Sequence, residues 1–187
     1  MGILIMMNYK NPDYIIDRRK SNYTNKNAVE NVIRYVTRTR VEETRAGELI
    51  SYGGAGVGYY LPIEEIIGQF LLVQNIYNIN ARKGKRIYHE VFRLSEEDFR
   101  QLNCSYERVN EFAMQICQWY YRMGHQVVYA IHFDANLGIH IHLVVNTINF
   151  RNGLKWHTSM VDLGNRQFVY NRILYDLPYI VINKISG

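Results

Sequence analysis

"AIHFDANLGIHIHLVVN" (Ala130–Asn146) places three of the chain's six histidines inside a run of isoleucine, leucine and valine. Side chains on a strand alternate between two faces. Read as a strand, the second half puts Ile141, Leu143 and Val145 on one face, and His140, His142, Val144 and Asn146 on the other. The residues before it divide the same way: Val127, Tyr129, Ile131 and Phe133 against Val128, Ala130, His132 and Asp134. The apolar set can then bury itself against helices while the imidazoles gather on the opposite side. A turn over "ANLGI" joins the two strands into an antiparallel hairpin. A loop of that length predicts His132 opposite His142 and Asp134 opposite His140, with opposed side chains ~4.5–5.5 Å apart.

Three neutral imidazoles converging on one point make a site for a divalent cation. Three protein ligands leave coordination positions open, which marks catalytic rather than structural sites. Asp134 is placed to accept the remaining N–H of one ligand and fix its tautomer. The small Ala130 leaves room beside the group. His89 and Glu90, in "RIYHEVFRLS", lie on a further expected strand, and either is a candidate partner of the metal ligands. The segment does not say which of the two points inward. His125 and His157 fall at strand ends and receive no role.

Working outward, Ile3–Tyr9 is an apolar run of strand length, expected at the centre of a sheet. "NAVENVIRYVTRT" reads as a helix, with Asn27 as N-cap and Glu30 three residues on, as in a capping box. Its apolar stripe is Val29, Val32, Ile33 and Val36, and Tyr35 flanks it with its hydroxyl free to reach outward. "RAGELISYGGAGVGYY" matches no phosphate-binding glycine motif and is expected to be a flexible connection. Pro62 opens a second helix with Ile63, Ile66, Ile67, Phe70 and Leu71 on one face. A basic turn follows, with Arg82, Lys83, Lys85 and Arg86, and then a strand over 87–94. Ser95 and Ser105 are expected caps of two successive helices. The second of these buries Val109, Phe112, Ala113, Ile116 and Tyr120 and stops at Gly124. Asn152–Gly153 signals a tight turn, and a last helix is expected over roughly 161–175. The reading is a single α+β domain over residues 1–187, an antiparallel sheet with helices packed on it.

The 187 residues are 48% hydrophobic and 21% charged, ordinary globular composition that excludes a disordered chain. A formal net charge of +5 suits a polyanionic partner without requiring one. Sixteen tyrosines against seven phenylalanines fit either coding bias or base stacking. Cys104 and Cys117 form no Cys-x-x-Cys pair and are expected to be reduced thiols. The N-terminus lacks the pattern of a signal peptide, and no run reaches the ~18 apolar residues of a membrane span. The expectation is a cytoplasmic protein with no membrane insertion.

The motif His132-x-Asp134 followed by His140-x-His142 and "LVVN" resembles that of the conjugative relaxases, or mobilization nucleases. It is most similar to the P-type group, which includes plasmid mobilization proteins and the agrobacterial T-DNA nicking enzyme. The segments "RVNEFAMQICQWYYRMGHQVVYAIH" and "NTINFRNGLKWH" around it resemble the family as well. "NAVENVIRYVTRT" resembles the helix that carries the family's nucleophilic tyrosine, which transfers that role to Tyr35. The resemblance implies a relaxase and rolling-circle-initiator-like sheet with the three-histidine metal site on its central strands. It implies an enzyme, a tyrosine transesterase acting as a single-strand endonuclease. Such an enzyme nicks origin-of-transfer DNA, holds the strand as a 5′-phosphotyrosyl intermediate and later rejoins it.

The ligands by this likeness are His132, His140 and His142 and the cation Mg²⁺ or Mn²⁺, although three imidazoles favour softer ions. Asp134, His89 and Glu90 are the candidates to assist from behind the ligands. Arg34, Arg38 and Arg40, with Arg82, Lys83, Lys85 and Arg86, are the candidate contacts to single-stranded DNA, and tyrosines can stack its bases. Accessory relaxosome proteins, a coupling protein and a bacterial cytoplasm are further implications. The rival readings are a replication initiator or transposase using Tyr170 or Tyr175, and a non-catalytic DNA-binding regulator with a structural metal.

Overall fold

The structure is a computed structural model that describes residues 3–6, 23–39, 47–58, 61–81, 83–135, 137–157 and 159–185. Its elements, in chain order, are β1 (Ile3–Met6), α1 (Ala28–Val36), β2 (Glu48–Ala55), α2 (Ile63–Ile76), β3 (Ile87–Arg93), α3 (Glu96–Gln101), α4 (Tyr106–Arg122), β4 (Val127–Asp134), β5 (Gly138–Asn146) and α5 (Met160–Ile185). The five strands form one sheet in the order β1-β3-β5-β4-β2, each neighbouring pair antiparallel. The α+β class and the antiparallel sheet agree with the sequence reading.

Alternation sorts the sheet into two cores. One face carries Tyr88, Phe92, Tyr129, Ile131, Ile141, Leu143 and Val145, covered by α4 and α5 through Phe112, Ile116, Tyr120, Tyr170 and Leu174. The other carries Ile87, Val128, Ala130 and Val144, covered by α1 and α2 through Val29, Ile33, Ile66 and Phe70. Fully burying a side chain of this size stabilises by roughly 1.5–3 kcal/mol, so both layers are needed to hold the sheet. Asn146, the polar end of "LVVN", is buried and joins the layers: its Nδ2 donates to the Phe70 carbonyl at 3.2 Å and to Gln126 Oε1 at 2.9 Å. Its Oδ1 accepts from Gln74 Nε2 at 3.1 Å. It is a strut between α2 and β5.

Several expectations are corrected. Among the described residues the first strand lies at an edge of the sheet, paired with β3, rather than at its centre. Asn27 precedes α1 but makes no side-chain cap bond, because its backbone (φ −93°, ψ 3°) lacks the extended conformation that aims a cap. The glycine-rich segment contains the strand β2, paired with β4. There the glycines serve close packing: a Cβ on Gly53 would sit 2.7 Å from the Tyr129 hydroxyl oxygen, and one on Gly54 would strike the Val127 carbonyl. His125, which received no role, is buried, its Nδ1 donating to the Asn146 carbonyl at 2.9 Å. Ser95 does form a capping box with Asp98, and Ser105 caps α4. Among the described residues no helix is long and apolar enough to cross a membrane.

Candidate active site

The hairpin β4–β5 turns over three residues, 135–137, rather than five. Gly138 takes φ +67°, a left-handed conformation that suits glycine, and already belongs to β5. The register therefore shifts from the expected one: His132 pairs with His140, Ala130 with His142, and Asp134 with Gly138. The parity is unchanged, so all three histidines still share a face. One nitrogen from each ring lies within 4.8 Å of those from the other two. All three rings are buried, against the α1–α2 side of the sheet.

Hydrogen bonds to backbone carbonyls fix which nitrogens of His132 and His140 carry protons. His132 Nε2 lies 2.6 Å from the Val36 carbonyl, which can only accept, so this nitrogen donates. His132 Nδ1 lies 3.4 Å from Arg38 Nη2, which can only donate, so Nδ1 holds a lone pair. His140 Nδ1 donates to the Gly138 carbonyl at 3.1 Å, leaving its Nε2 unprotonated. His142 Nδ1 lies 2.9 Å from His89 Nε2, a bond in which either ring can donate; with His142 as the donor, its Nε2 carries the lone pair. Burial pushes the histidines toward the neutral form: His132 down to about 4, His140 below its ordinary value and His142 well below it. Neutral rings with lone pairs aimed at one point are what a divalent cation requires. The residues present fit the metal that the motif implies.

His89 and Glu90 are both buried, on opposite faces of β3. His89 joins the histidine group, its pKa pushed to about 3 by burial and by His132, and its Nδ1 lies 3.2 Å from the Tyr23 hydroxyl. Glu90 does not join it. The strand carries Glu90 to the α5 side, where its Oε2 accepts from Tyr120 at 2.8 Å and Tyr170 at 2.9 Å, and Arg166 Nη2 lies 2.8 Å from its Oε1. Asp134 sits at the hairpin turn, its Oδ1 accepting from the Leu137 amide at 3.2 Å, and acts on His140 through its charge.

Tyr35 comes from α1, whose apolar stripe seats on α2 and the sheet. The Val36 carbonyl, freed at the helix end, is held by His132, so the histidine group itself anchors the last turn. Tyr35 is half-buried, its ring centroid 6.0 Å from that of His142 and 6.1 Å from that of His89, both edge-on. Tyr170, the downstream rival, is fully buried on the opposite face, and Tyr175 lies exposed on α5.

The basic candidates separate. Arg38 reaches the histidines. Arg34 is engaged by Glu30 at 3.0 Å and Glu64 at 2.9 Å, and ties α1 to α2. Arg86 donates from Nη2 to Asn80 at 2.5 Å and from Nε to the Thr24 carbonyl at 3.4 Å. Lys85 Nζ lies over the Tyr88 ring at 5.4 Å, toward the other face, and Lys83 is exposed. This basic turn stands five strand residues from Val91, the partner of His142, or ~17 Å along β3. Arg40 and Arg82 lie outside the described residues. Two neighbours were missed from the sequence. Tyr23 belonged to a polar connector with no periodicity to aim it, and Arg93, which pairs with His140, looked like a strand end.

The model of the family described as "Relaxase: MobA/VirD2-like, nuclease domain" matches residues 35–175. No curated protein and no solved structure matches the chain. The matched span opens on Tyr35 and contains all three histidines, so the residues gathered on one face of the sheet are those the family model also covers. The chain belongs to the relaxase family, with a MobA/VirD2-like nuclease domain over most of its length.

Proposed function

We propose that this chain is a relaxase of conjugative transfer that nicks one strand of DNA at an origin of transfer through Tyr35. The observation that carries the reading is the Tyr35 ring edge-on to His142 at 6.0 Å, beside a buried group of three neutral histidines. The Tyr35 oxygen attacks the phosphorus, the bond to the 3′ oxygen breaks, and a 5′-phosphotyrosyl link and a 3′-hydroxyl result. The phenol gives up one proton and the departing oxygen takes one, so the exchange is close to energy-neutral and can run backward to rejoin the strand. A divalent cation, Mg²⁺ or Mn²⁺, supplies charge neutralisation for the phosphate oxygens when bound.

His132, His140 and His142 would hold that cation. His89 positions His142 from behind through the bond between its Nε2 and His142 Nδ1, and Asp134 biases His140 through its field. Arg38 and the exposed basic residues would meet the phosphate backbone, and the partner is single-stranded DNA. Accessory relaxosome proteins, a coupling protein, a bacterial cytoplasm and a single nuclease domain belong to the same reading. A replication initiator working through Tyr170 is disfavoured, since a phenol buried beyond the sheet is separated from the histidines.

The test is covalent capture. Single-stranded origin DNA with Mn²⁺ is expected to yield an adduct that survives a denaturing gel. Tyr35→Phe should abolish it, whereas Tyr175→Phe leaves it intact. An adduct that persists in Tyr35→Phe removes Tyr35 as nucleophile. No adduct with any DNA or metal favours a non-catalytic regulator.

A further inference from the structure

Arg38 has an unusual position. It follows α1 with φ +56°, in the left-handed region, where a non-glycine residue is strained and persists only if its surroundings compensate. The bend places its guanidinium over the Tyr35 ring at 5.9 Å and among the histidines. Among the described residues its Nε and Nη1 are buried with no hydrogen-bond partner, and its Nη2 meets the Nδ1 of His132. A guanidinium does not shed its charge in a protein, so two buried charged donors stand without acceptors.

Two requirements conflict here. His132 can ligate a cation only through Nδ1, because its Nε2 is committed to the Val36 carbonyl. Arg38 occupies that same Nδ1. A divalent ion at the histidines must therefore displace the guanidinium, and would repel it once bound. The planar fork of arginine matches two phosphate oxygens, and an anion beside the metal would satisfy the donors left idle.

We propose that Arg38 is a built-in stand-in for the metal, which yields His132 to the ion and closes its fork on the DNA phosphate. Metal and phosphate are thereby coupled through one side chain. Each makes the other's site complete, and by linkage the coupling is reciprocal. The phosphate half of this inference rests on the nuclease reading; the competition for His132 does not.

The test titrates MnCl₂ into the full chain by calorimetry, with and without an oligothymidylate strand. Arg38→Asn removes the charge and tolerates the left-handed backbone. Without DNA it is expected to bind Mn²⁺ about tenfold more tightly than wild type, within the usual range of coupling between sites. Adding the strand should raise the Mn²⁺ affinity of wild type by a larger factor than that of Arg38→Asn. Arg38→Lys keeps the charge but loses the fork; it should retain the weaker DNA-free uptake and lose most of the gain on adding DNA. Equal Mn²⁺ affinity in wild type and Arg38→Asn without DNA overturns the proposal, as does an undiminished DNA-induced gain in Arg38→Asn. Tyr35→Phe should titrate like wild type in both arms, which separates failure of this coupling from failure of the nicking reaction.

Discussion

The two faces of the sheet each bury a polar group, and the groups are finished to different degrees. On the α5 side, Glu90 accepts from Tyr120 and Tyr170 and faces Arg166, so one negative charge meets one positive charge. Arg166 also lies over the Trp156 ring at 5.0 Å. On the α1 side, one nitrogen from each of three histidines converges, and the nearby cation Arg38 has donors with no acceptor among the described residues. A buried polar cluster whose charges cancel holds a fold together. One that is left open carries a cost that only a ligand removes.

The comparison breaks first at Glu90. Glu90→Gln leaves Arg166 buried beside a neutral amide, and breaking such a pair typically costs about 3–5 kcal/mol. Urea denaturation should show that loss, while the protein that remains folded binds Mn²⁺ as wild type does. If Glu90→Gln unfolds at the wild-type midpoint, the α5-side cluster is not structural. The opposite pattern is expected at His89, whose replacement by alanine removes the hydrogen-bond partner behind His142. Loss of such a partner typically weakens metal binding by about 10–100-fold. Calorimetry with MnCl₂ reads this directly; an unchanged affinity would leave His89 a packing residue.

Acid sharpens the contrast more gently. In the folded chain His132 takes a proton only at about 4 and His89 at about 3, while unfolded histidines do so near 6.5. Between those values the unfolded chain binds more protons, so the stability these groups contribute is complete above pH 6.5 and is lost as pH falls toward 4. Each such histidine adds a slope of about 1.4 kcal/mol per pH unit. His132→Asn should flatten the pH dependence of the melting temperature below pH 6.5. An unaltered slope in that variant would place the acid sensitivity elsewhere.

What the sequence made legible follows from periodicity. Two-residue alternation sorted the histidines from the apolar residues correctly, and the helix stripe placed Tyr35 at the edge of its core. Parity tolerates an error of two residues, so the face was right while the register was not. The turn itself was misjudged because Gly138, on its left-handed backbone, looked like loop and is strand. β2 was hidden for a non-local reason: Gly53 and Gly54 make room for Tyr129 and the Val127 carbonyl, more than seventy residues away in the chain. Between His89 and Glu90 alternation had no contrast to use, since β3 is buried on both faces. Tyr23 and Arg38 owe their positions to backbone of positive φ, at 50° and 56°, which no side-chain pattern announces.

The short turn at 135–137 also matters for the order of assembly. All three candidate ligands belong to one hairpin, so bringing them together closes a loop of a few residues, and hairpins of this kind form in ~1–10 μs. Tyr35 reaches them only through contacts such as that between Val36 and His132, 96 residues apart. Loop-closure entropy delays contacts of that span relative to local ones. In folding terms, the cradle for a cation is a local structure and the nucleophile a late arrival.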